Sequence, residues 1–146
     1  MTVRFPRPAR AHGERERGAT AIELAMLTPI LIVVIFLTIQ FALLYHARHV
    51  ALAAAQAGAR IARATAASDP DWREPARRKS IDYIRAIGPG LLERPSAVPL
   101  VRSDAAGNPV EVGIEVRGGA VRLLPFLTLQ VSERSQGAVE RFVQDI

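Results

Sequence analysis

The chain has 146 residues, a formal net charge of +5 and no cysteine. A chain of this length can bury one modest core, which excludes a large multidomain enzyme, and the lack of cysteine excludes disulfides and thiol redox chemistry. The basic residues are scattered, are almost all arginine and are accompanied by two tyrosines and one tryptophan, so we expect no nucleic-acid partner.

Residues 1–18 are polar and basic and are interrupted by Pro6, Pro8 and Gly13. This composition predicts a disordered targeting leader that takes no part in the fold. Because positive charge concentrates on the cytoplasmic side of membrane spans, the leader predicts a cytoplasmic N-terminus and an extracytoplasmic location for everything beyond the span. The arginines that carry this bias are Arg4, Arg7, Arg10, Arg15 and Arg17.

An apolar run without any charge extends over residues 24–45. About 22 helical residues are roughly 33 Å long, enough to cross a hydrocarbon core of about 30 Å. The run has no polar face, so we predict a transmembrane helix over residues 19–45 and disfavour a helix lying on the membrane surface. Glu23 lies at the start of this helix, where it requires either headgroup water or a charged partner.

Two further residues stand out within the span. Pro29 removes one backbone hydrogen bond and is expected to bend the helix, although membrane helices also tolerate proline for no functional reason. Gln40 is predicted to form a hydrogen bond between helices in lipid. We regard both as candidate helix-packing residues.

The helical pattern continues beyond the membrane over residues 46–67, which are rich in alanine and contain one glycine. We predict that this extracytoplasmic stalk continues the membrane helix. A stripe of mostly small side chains would let another helix approach closely, either from the chain's own outer domain or from another subunit. The stripe consists of Leu52, Ala55, Ala59, Ala62 and Ala66.

A small outer domain is predicted over residues 68–146. Ser68 or Asp69 is the candidate N-cap of a second helix, with Ile81, Ile84 and Ile87 on its apolar edge. The glycines at 88 and 90, together with Pro89, are expected to end this helix, with glycine in the left-handed conformation.

Beyond residue 95 the apolar pattern alternates, which predicts strands over residues 98–101 and 110–116 around a turn at residues 106–109. Val112, Ile114 and their neighbours would form the buried face of the second strand. Gly118 and Gly119 are expected to close that strand, and a last strand is predicted over residues 127–142 with a break at Gly137. The predicted class is therefore α+β: a long transmembrane and stalk helix, a second short helix, and a small antiparallel sheet.

No catalytic or metal-binding constellation is apparent in the sequence. His46 and His49 are one helical turn apart but lack further ligands, so we interpret them as interfacial side chains beside Tyr45. The serines of the outer domain have no histidine there to activate them, and no phosphate loop or nucleophile elbow occurs. We therefore expect no enzymatic activity, no cofactor, no metal and no small-molecule substrate.

The segment from Gly18 to Glu23 resembles the type IV prepilin processing signal: a basic leader ending in glycine, with glutamate as the fifth residue after the cut and about twenty apolar residues following. More closely, residues 17–25, Pro29 and the run Gln-Ala-Gly-Ala-Arg at 56–60 resemble the TadE-like family of Flp (tight adherence) pilus assembly proteins. The resemblance covers roughly residues 17–65.

This resemblance implies cleavage between Gly18 and Ala19 by a prepilin peptidase, and pairing of Glu23 with the new N-terminal amine of a neighbouring subunit. It implies a minor pilin or pseudopilin of the cytoplasmic (inner) membrane that reaches the cell surface on assembly. Its partners would be other pilin-like subunits, the pilus assembly machinery and membrane lipid. The alternative is a single-pass, membrane-tethered binding module that joins no filament.

Overall fold

The computed structural model describes residues 13–140, with side chains described from residue 21 onward. This part of the chain forms two helices and then three strands: α1 (Gly13–Thr65), α2 (Arg73–Ile87), β1 (Leu92–Ser103), β2 (Pro109–Ala120) and β3 (Gln130–Ala138). The predicted α+β class, with a long first helix, a short second helix and an antiparallel sheet, is confirmed. The chain divides after Thr38 into two units. We call residues 21–38 the apolar segment and residues 39–140 the folded unit.

Helix α1 contains 53 residues and includes both the predicted span and most of the predicted stalk. It begins at Gly13, inside the predicted leader, and ends at Thr65. Residues 1–12 of that leader lie outside the described residues. The Ala-rich composition of the second half of α1 favours helix strongly, because alanine loses no side-chain entropy when the helix forms.

The start of α2 differs from the prediction. Its N-cap is Trp72, with no side-chain capping bond, so neither Ser68 nor Asp69 caps it. The Asp69 carboxylate instead accepts the backbone N–H of Asp71 at 2.8 Å, which forms a turn before the helix. At its other end α2 stops at Ile87 as expected, but the positive φ of +79° belongs to Gly90 and not to Gly88.

The apolar edge of α2 agrees with the prediction in part. Ile84 is buried and Ile81 packs against the core, as predicted, whereas Ile87 is exposed. Ala76 and Ser80, which the prediction left out, are also buried, and they lie at intervals of four residues with Ile84 on one helical face.

The strands form one antiparallel sheet in the order β1-β2-β3. Val112, Ile114 and Val116 of the central strand are fully buried, which confirms the predicted alternation of β2. Gly118 and Gly119 lie within β2, and Gly137 lies within β3, where it pairs with Val112. The predicted strand end at the glycine pair and the predicted break at Gly137 are therefore wrong, because their backbone groups continue the ladders.

Strand β1 is longer than predicted because it is an edge strand. Pro95 and Pro99 lack a backbone N–H, which a central strand would need, but an edge strand has one side that requires no partner. The register with β2 shifts between Glu93 and Ser96, and Arg94 adopts a positive φ of 48° at that irregularity. Because prolines are rare in strands, the sequence pattern missed the first six residues of β1.

Candidate functional site: the first helix

The apolar segment presents apolar side chains to all sides. From residue 21 to residue 39 every residue is exposed except Leu37, which is half-buried. Eighteen helical residues are about 27 Å long, close to the hydrocarbon thickness of a bilayer. Among the described residues, one helix, Ala21–Thr65, is long and apolar enough to span a membrane, and this segment is its beginning. Such a surface requires lipid or other apolar helices around it.

Glu23 lies near the beginning of the apolar segment and is exposed. It is the sole ionisable residue between residues 21 and 44. A carboxylate next to hydrocarbon is costly unless it meets water or a cation. Gly18 and Ala19, the predicted cleavage pair, lie in α1 just before it, at positions whose side chains are not described.

Pro29 lies inside α1 and is exposed. Its ring nitrogen has no hydrogen, so it cannot donate to the carbonyl of Ala25, four residues earlier. The nearby Thr28 hydroxyl donates to the carbonyl of Leu24 at 2.6 Å. Thr28 therefore does not replace the bond that proline removes. The Thr38 hydroxyl donates to Val34 in the same way, at 2.8 Å.

Gln40 has a different role from the one predicted. Its side chain is fully buried within the folded unit. The amide Nε2 donates to the carbonyl of Val121 at 3.0 Å, and Oε1 accepts the backbone N–H of Leu123 at 2.8 Å. Both polar ends of the amide are thus satisfied within the same chain, and they fix the β2–β3 loop (residues 121–129) to α1.

The small stripe faces the chain's own folded unit. Ala55, Ala59 and Ala62 have no exposed surface, and Ala66 is nearly buried, while Leu52 is half-buried. Of the two partners considered for this stripe, the structure places the chain's own domain against it. The interface leaves no free small-residue groove at these alanines for a second subunit.

Helix α1 approaches α2 closely at Gly58. A Cβ at this position would overlap the Ser80 hydroxyl and would lie 2.7 Å from the backbone oxygen of Ala76 and 2.9 Å from a side-chain carbon of Ile114. A backbone oxygen cannot move aside as a flexible side chain can, so glycine is required here. The sequence pattern gave no sign of this contact, although Gly58 is the one glycine of the stalk and lies in the run that carries the family resemblance.

Ion pairs add further links between α1 and the sheet. The Arg48 guanidinium lies 2.8 Å from the Glu133 carboxylate, and the backbone N–H of Glu140 donates to the carbonyl of Arg63 at 3.0 Å. The rings of Tyr45 and His49 meet edge to face at 4.3 Å. Among the described residues, no group of three or more histidine, aspartate or glutamate side chains lies close enough together to hold a metal ion.

The comparison that bears on function concerns this helix. A family model described as TadE-like protein matches residues 18–60. This segment is TadE-like. The match begins at Gly18, extends through the apolar segment and Gln40, and includes Gly58. The resemblance inferred from the sequence is therefore confirmed over these residues.

The match over these residues favours a function related to the Tad/Flp pilus. The apolar, potentially spanning helix agrees with a membrane-anchored protein of that system. Helix α2 and the sheet lie beyond the matched residues. No curated protein and no solved structure matches the chain.

Proposed function

We propose that this chain is a TadE-like minor pilin or pseudopilin that takes part in the assembly of a Flp-type pilus or a related secretion filament. The observation that carries the proposal is the TadE-like match from Gly18, the last residue before the proposed cleavage site. The exposed apolar segment that follows supplies the surface by which such a helix would remain in a membrane or enter a bundle of similar helices.

In this proposal the basic leader stays in the cytoplasm and residues 21–38 cross the inner membrane. The folded unit then lies on the extracytoplasmic side. A prepilin peptidase would cut between Gly18 and Ala19 and create an α-amine at Ala19. Glu23 would pair with the same amine of a neighbouring subunit, so that two charges enter the apolar bundle together.

The burial of the alanine stripe narrows the surface available for assembly. Because Ala55, Ala59 and Ala62 are covered by the chain's own domain, filament contacts would fall mainly on the apolar segment and on the outside of the folded unit. The folded unit would therefore accompany α1 into a filament as an attached domain. This arrangement suits a minor subunit better than a subunit made of a helix alone.

The N-terminus of membrane-extracted protein tests the proposal directly. We expect intact mass and Edman sequencing to show a chain beginning at Ala19 when a prepilin peptidase is co-expressed, and a chain retaining residues 1–18 when it is not. A matched variant, Gly18→Val, should retain the leader in both cases, because its bulkier side chain replaces the glycine at the cut.

Retention of residues 1–18 in the presence of a peptidase that cuts a control prepilin would overturn the pseudopilin assignment. The protein would then be better explained as a membrane-tethered binding module. Its folded unit would in that case recognise an extracytoplasmic ligand without joining a filament.

A further inference from the structure

The β2–β3 loop (residues 121–129) exposes large apolar side chains. Phe126 is 79% exposed and Leu123 is 42% exposed. The backbone N–H of Leu127 donates to the carbonyl of Leu124 at 3.1 Å, so Pro125 and Phe126 occupy the tip of a closed turn. An aromatic ring held at the tip of a turn loses little conformational freedom when it enters an apolar environment.

This loop is held where the chain enters the folded unit. Leu123 is hydrogen-bonded through its backbone to Gln40, and Gln40 is two residues beyond the apolar segment. These hydrogen bonds lie within the folded unit, so Val121 and Leu123, at the start of the loop, stay within a few ångströms of the Gln40 side chain whatever the orientation of the preceding segment. If the apolar segment spans a bilayer, its outer end and this loop reach the same interface.

Neighbouring side chains have the composition of a membrane interface. Phe41 and Tyr45 of α1 are 59% and 66% exposed, and Tyr45 is five residues, or about 7.5 Å of helix, beyond Gln40. Aromatic residues at this depth are typical of the headgroup region. A groove of about 340 Å³ beside the loop is lined by three arginines and one carboxylate: Arg94, Arg117, Arg122 and Glu93.

We propose that the β2–β3 loop is a second membrane contact, with Phe126 and Leu123 inserted into the outer leaflet of the membrane that the apolar segment crosses. Arg122, directly before Leu123, lies within reach of lipid phosphate. Its ion pair with Glu93 is 3.6 Å long and partly exposed, so the guanidinium keeps donors for a headgroup. This inference rests on the membrane-anchored part of the proposed function, and it implies that the folded unit is held against the bilayer before assembly.

The absence of native cysteine allows a direct test with the full chain. Single-cysteine variants Phe126→Cys, Val101→Cys and Ile30→Cys carry an environment-sensitive fluorophore and are placed, one chain per disc, in nanodiscs of phosphatidylcholine and phosphatidylglycerol. Ile30 is 61% exposed and lies near the middle of the apolar segment. The discs contain lipid with a nitroxide either near the carbonyl end or at the tail of the acyl chain. Val101 is the matched control, since it is 41% exposed and lies nine residues, or about 30 Å, along β1 from Leu92.

We expect the label at residue 126 to lose most of its emission with the shallow nitroxide, and the label at 101 to lose none. The label at 30 should be quenched by the deep nitroxide. Quenching at 30 without quenching at 126 would overturn the loop proposal and leave the span intact. A lack of quenching at 30 would overturn the span itself. A blue-shifted but unquenched label at 126 would show that protein covers the loop, which also overturns the proposal.

Discussion

Two polar side chains of α1 lie in apolar surroundings and are accommodated in opposite ways. Gln40 is fully buried, and both ends of its amide bond to the backbone of the β2–β3 loop. Glu23 is exposed on a helix whose neighbours are apolar, so either water or a cation from outside the described chain must stabilise its charge. The first residue therefore serves the fold, and the second is open to its surroundings.

Replacing Gln40 should destabilise the folded unit. Gln40→Leu keeps the volume but leaves the Val121 carbonyl and the Leu123 N–H unpaired, which costs about 1 to 3 kcal/mol of unfolding free energy. The measurement is urea unfolding of the full chain in mild detergent, followed by the fluorescence of buried Trp72. The exposed residue Gln56 provides the control Gln56→Leu, and equal stability of the two variants would contradict the assigned role.

Replacing Glu23 should impair assembly without preventing insertion. Glu23→Gln removes the charge that would pair with the amine of Ala19, and a loss of about 1.4 kcal/mol or more lowers incorporation about tenfold or more. The readout is the fraction of the chain recovered in sheared surface filaments, compared with the amount in the membrane. Glu74→Gln, at an exposed carboxylate of α2, should assemble normally. Equal recovery of both variants would exclude a pairing role for Glu23.

At the scale of elements, close packing of α1 on α2 and hydrogen bonding between side chains of β2 and β3 help to hold the folded unit together. The first interaction is built from small residues: Gly58 of α1 faces Ala76 and Ser80 of α2. In the second, Ser132 of β3 donates to the Glu115 carboxylate of β2 at 2.6 Å, and Arg117, two residues along β2, donates to the same carboxylate at 2.7 Å. The contacts of Gly58 and of Ser132 join different elements, whereas the Arg117 contact is local to β2.

Adding one methyl group at Gly58 should disrupt the contact between the two helices. Gly58→Ala places a carbon near the backbone oxygen of Ala76, and such overpacking costs about 1 to 3 kcal/mol, more than alanine gains as the better helix former. The matched control is Gly119→Ala, whose added carbon would meet its nearest neighbour at an ordinary 3.5 Å. Thermal unfolding should show a lower midpoint for the first variant alone, and equal midpoints would contradict the assigned contact.

The Glu115 cluster predicts a pH dependence. The hydrogen bond from Arg117, followed in importance by the one from Ser132, lowers the pKa of Glu115 below its usual value of 4.5. The folded state therefore holds the carboxylate more strongly than the unfolded state, so its stabilisation is full above the usual pKa and is lost as pH falls through the lowered pKa. Glu115→Gln should cost at most about 1 kcal/mol at neutral pH.

The difference between wild type and Glu115→Gln should shrink as the pH is lowered through the acid range. The measurement is urea unfolding at a series of pH values. Glu74→Gln is the control, because it shows the effect of removing one exposed carboxylate elsewhere in the folded unit. A difference between wild type and Glu115→Gln that stays constant with pH would contradict the assigned hydrogen bonds.

At the scale of the whole molecule, the chain divides after Thr38, so the last residues of the predicted span belong to the second unit. The first residues of the folded unit include Gln40 and partly buried Leu44, which packs against the core. Residues 40–45 therefore take part in the folded unit even though their hydropathy assigned them to the membrane helix. Residues 21–38 are therefore the segment whose side chains the other described residues leave largely exposed.

Two fragments of the molecule test that division. A fragment of residues 39–146 should fold cooperatively, whereas a fragment of residues 46–146 should lose about 2 kcal/mol or more, because Gln40 and Leu44 are missing. Denaturant unfolding monitored through Trp72 compares them. Equal stability would show that residues 39–45 contribute nothing to the stability of the folded unit.

Local pattern was sufficient for several features. The α+β class, the apolar segment, the buried alternation of Val112 and Ile114, and the TadE-like resemblance all depend on residues close together in the chain. The helical and strand periods and the length of the apolar run are read directly from neighbouring positions. The processing site, the pairing role of Glu23 and the topology stay predictions.

Other features were decided by contacts between distant residues. Because β1 is an edge strand, it tolerates its prolines. Pairing with the neighbouring strands keeps Gly118, Gly119 and Gly137 within β2 and β3. Neither the partner of the alanine stripe nor the need for glycine at residue 58 is visible without α2 in place. The N-cap of α2 was mispredicted because Asp69 bonds to Asp71 in a preceding turn.

The sequence by itself determined that a charge-poor helix of membrane length precedes a small α+β part, because hydropathy and periodicity are properties of consecutive residues. The tertiary structure alone decided where that helix begins to pack against the rest of the chain. Gln40 is polar and was predicted to bridge helices in a membrane, yet its amide bonds to Val121 and Leu123, more than eighty residues away. A hydrogen bond at that separation exists only once the sheet has folded against α1.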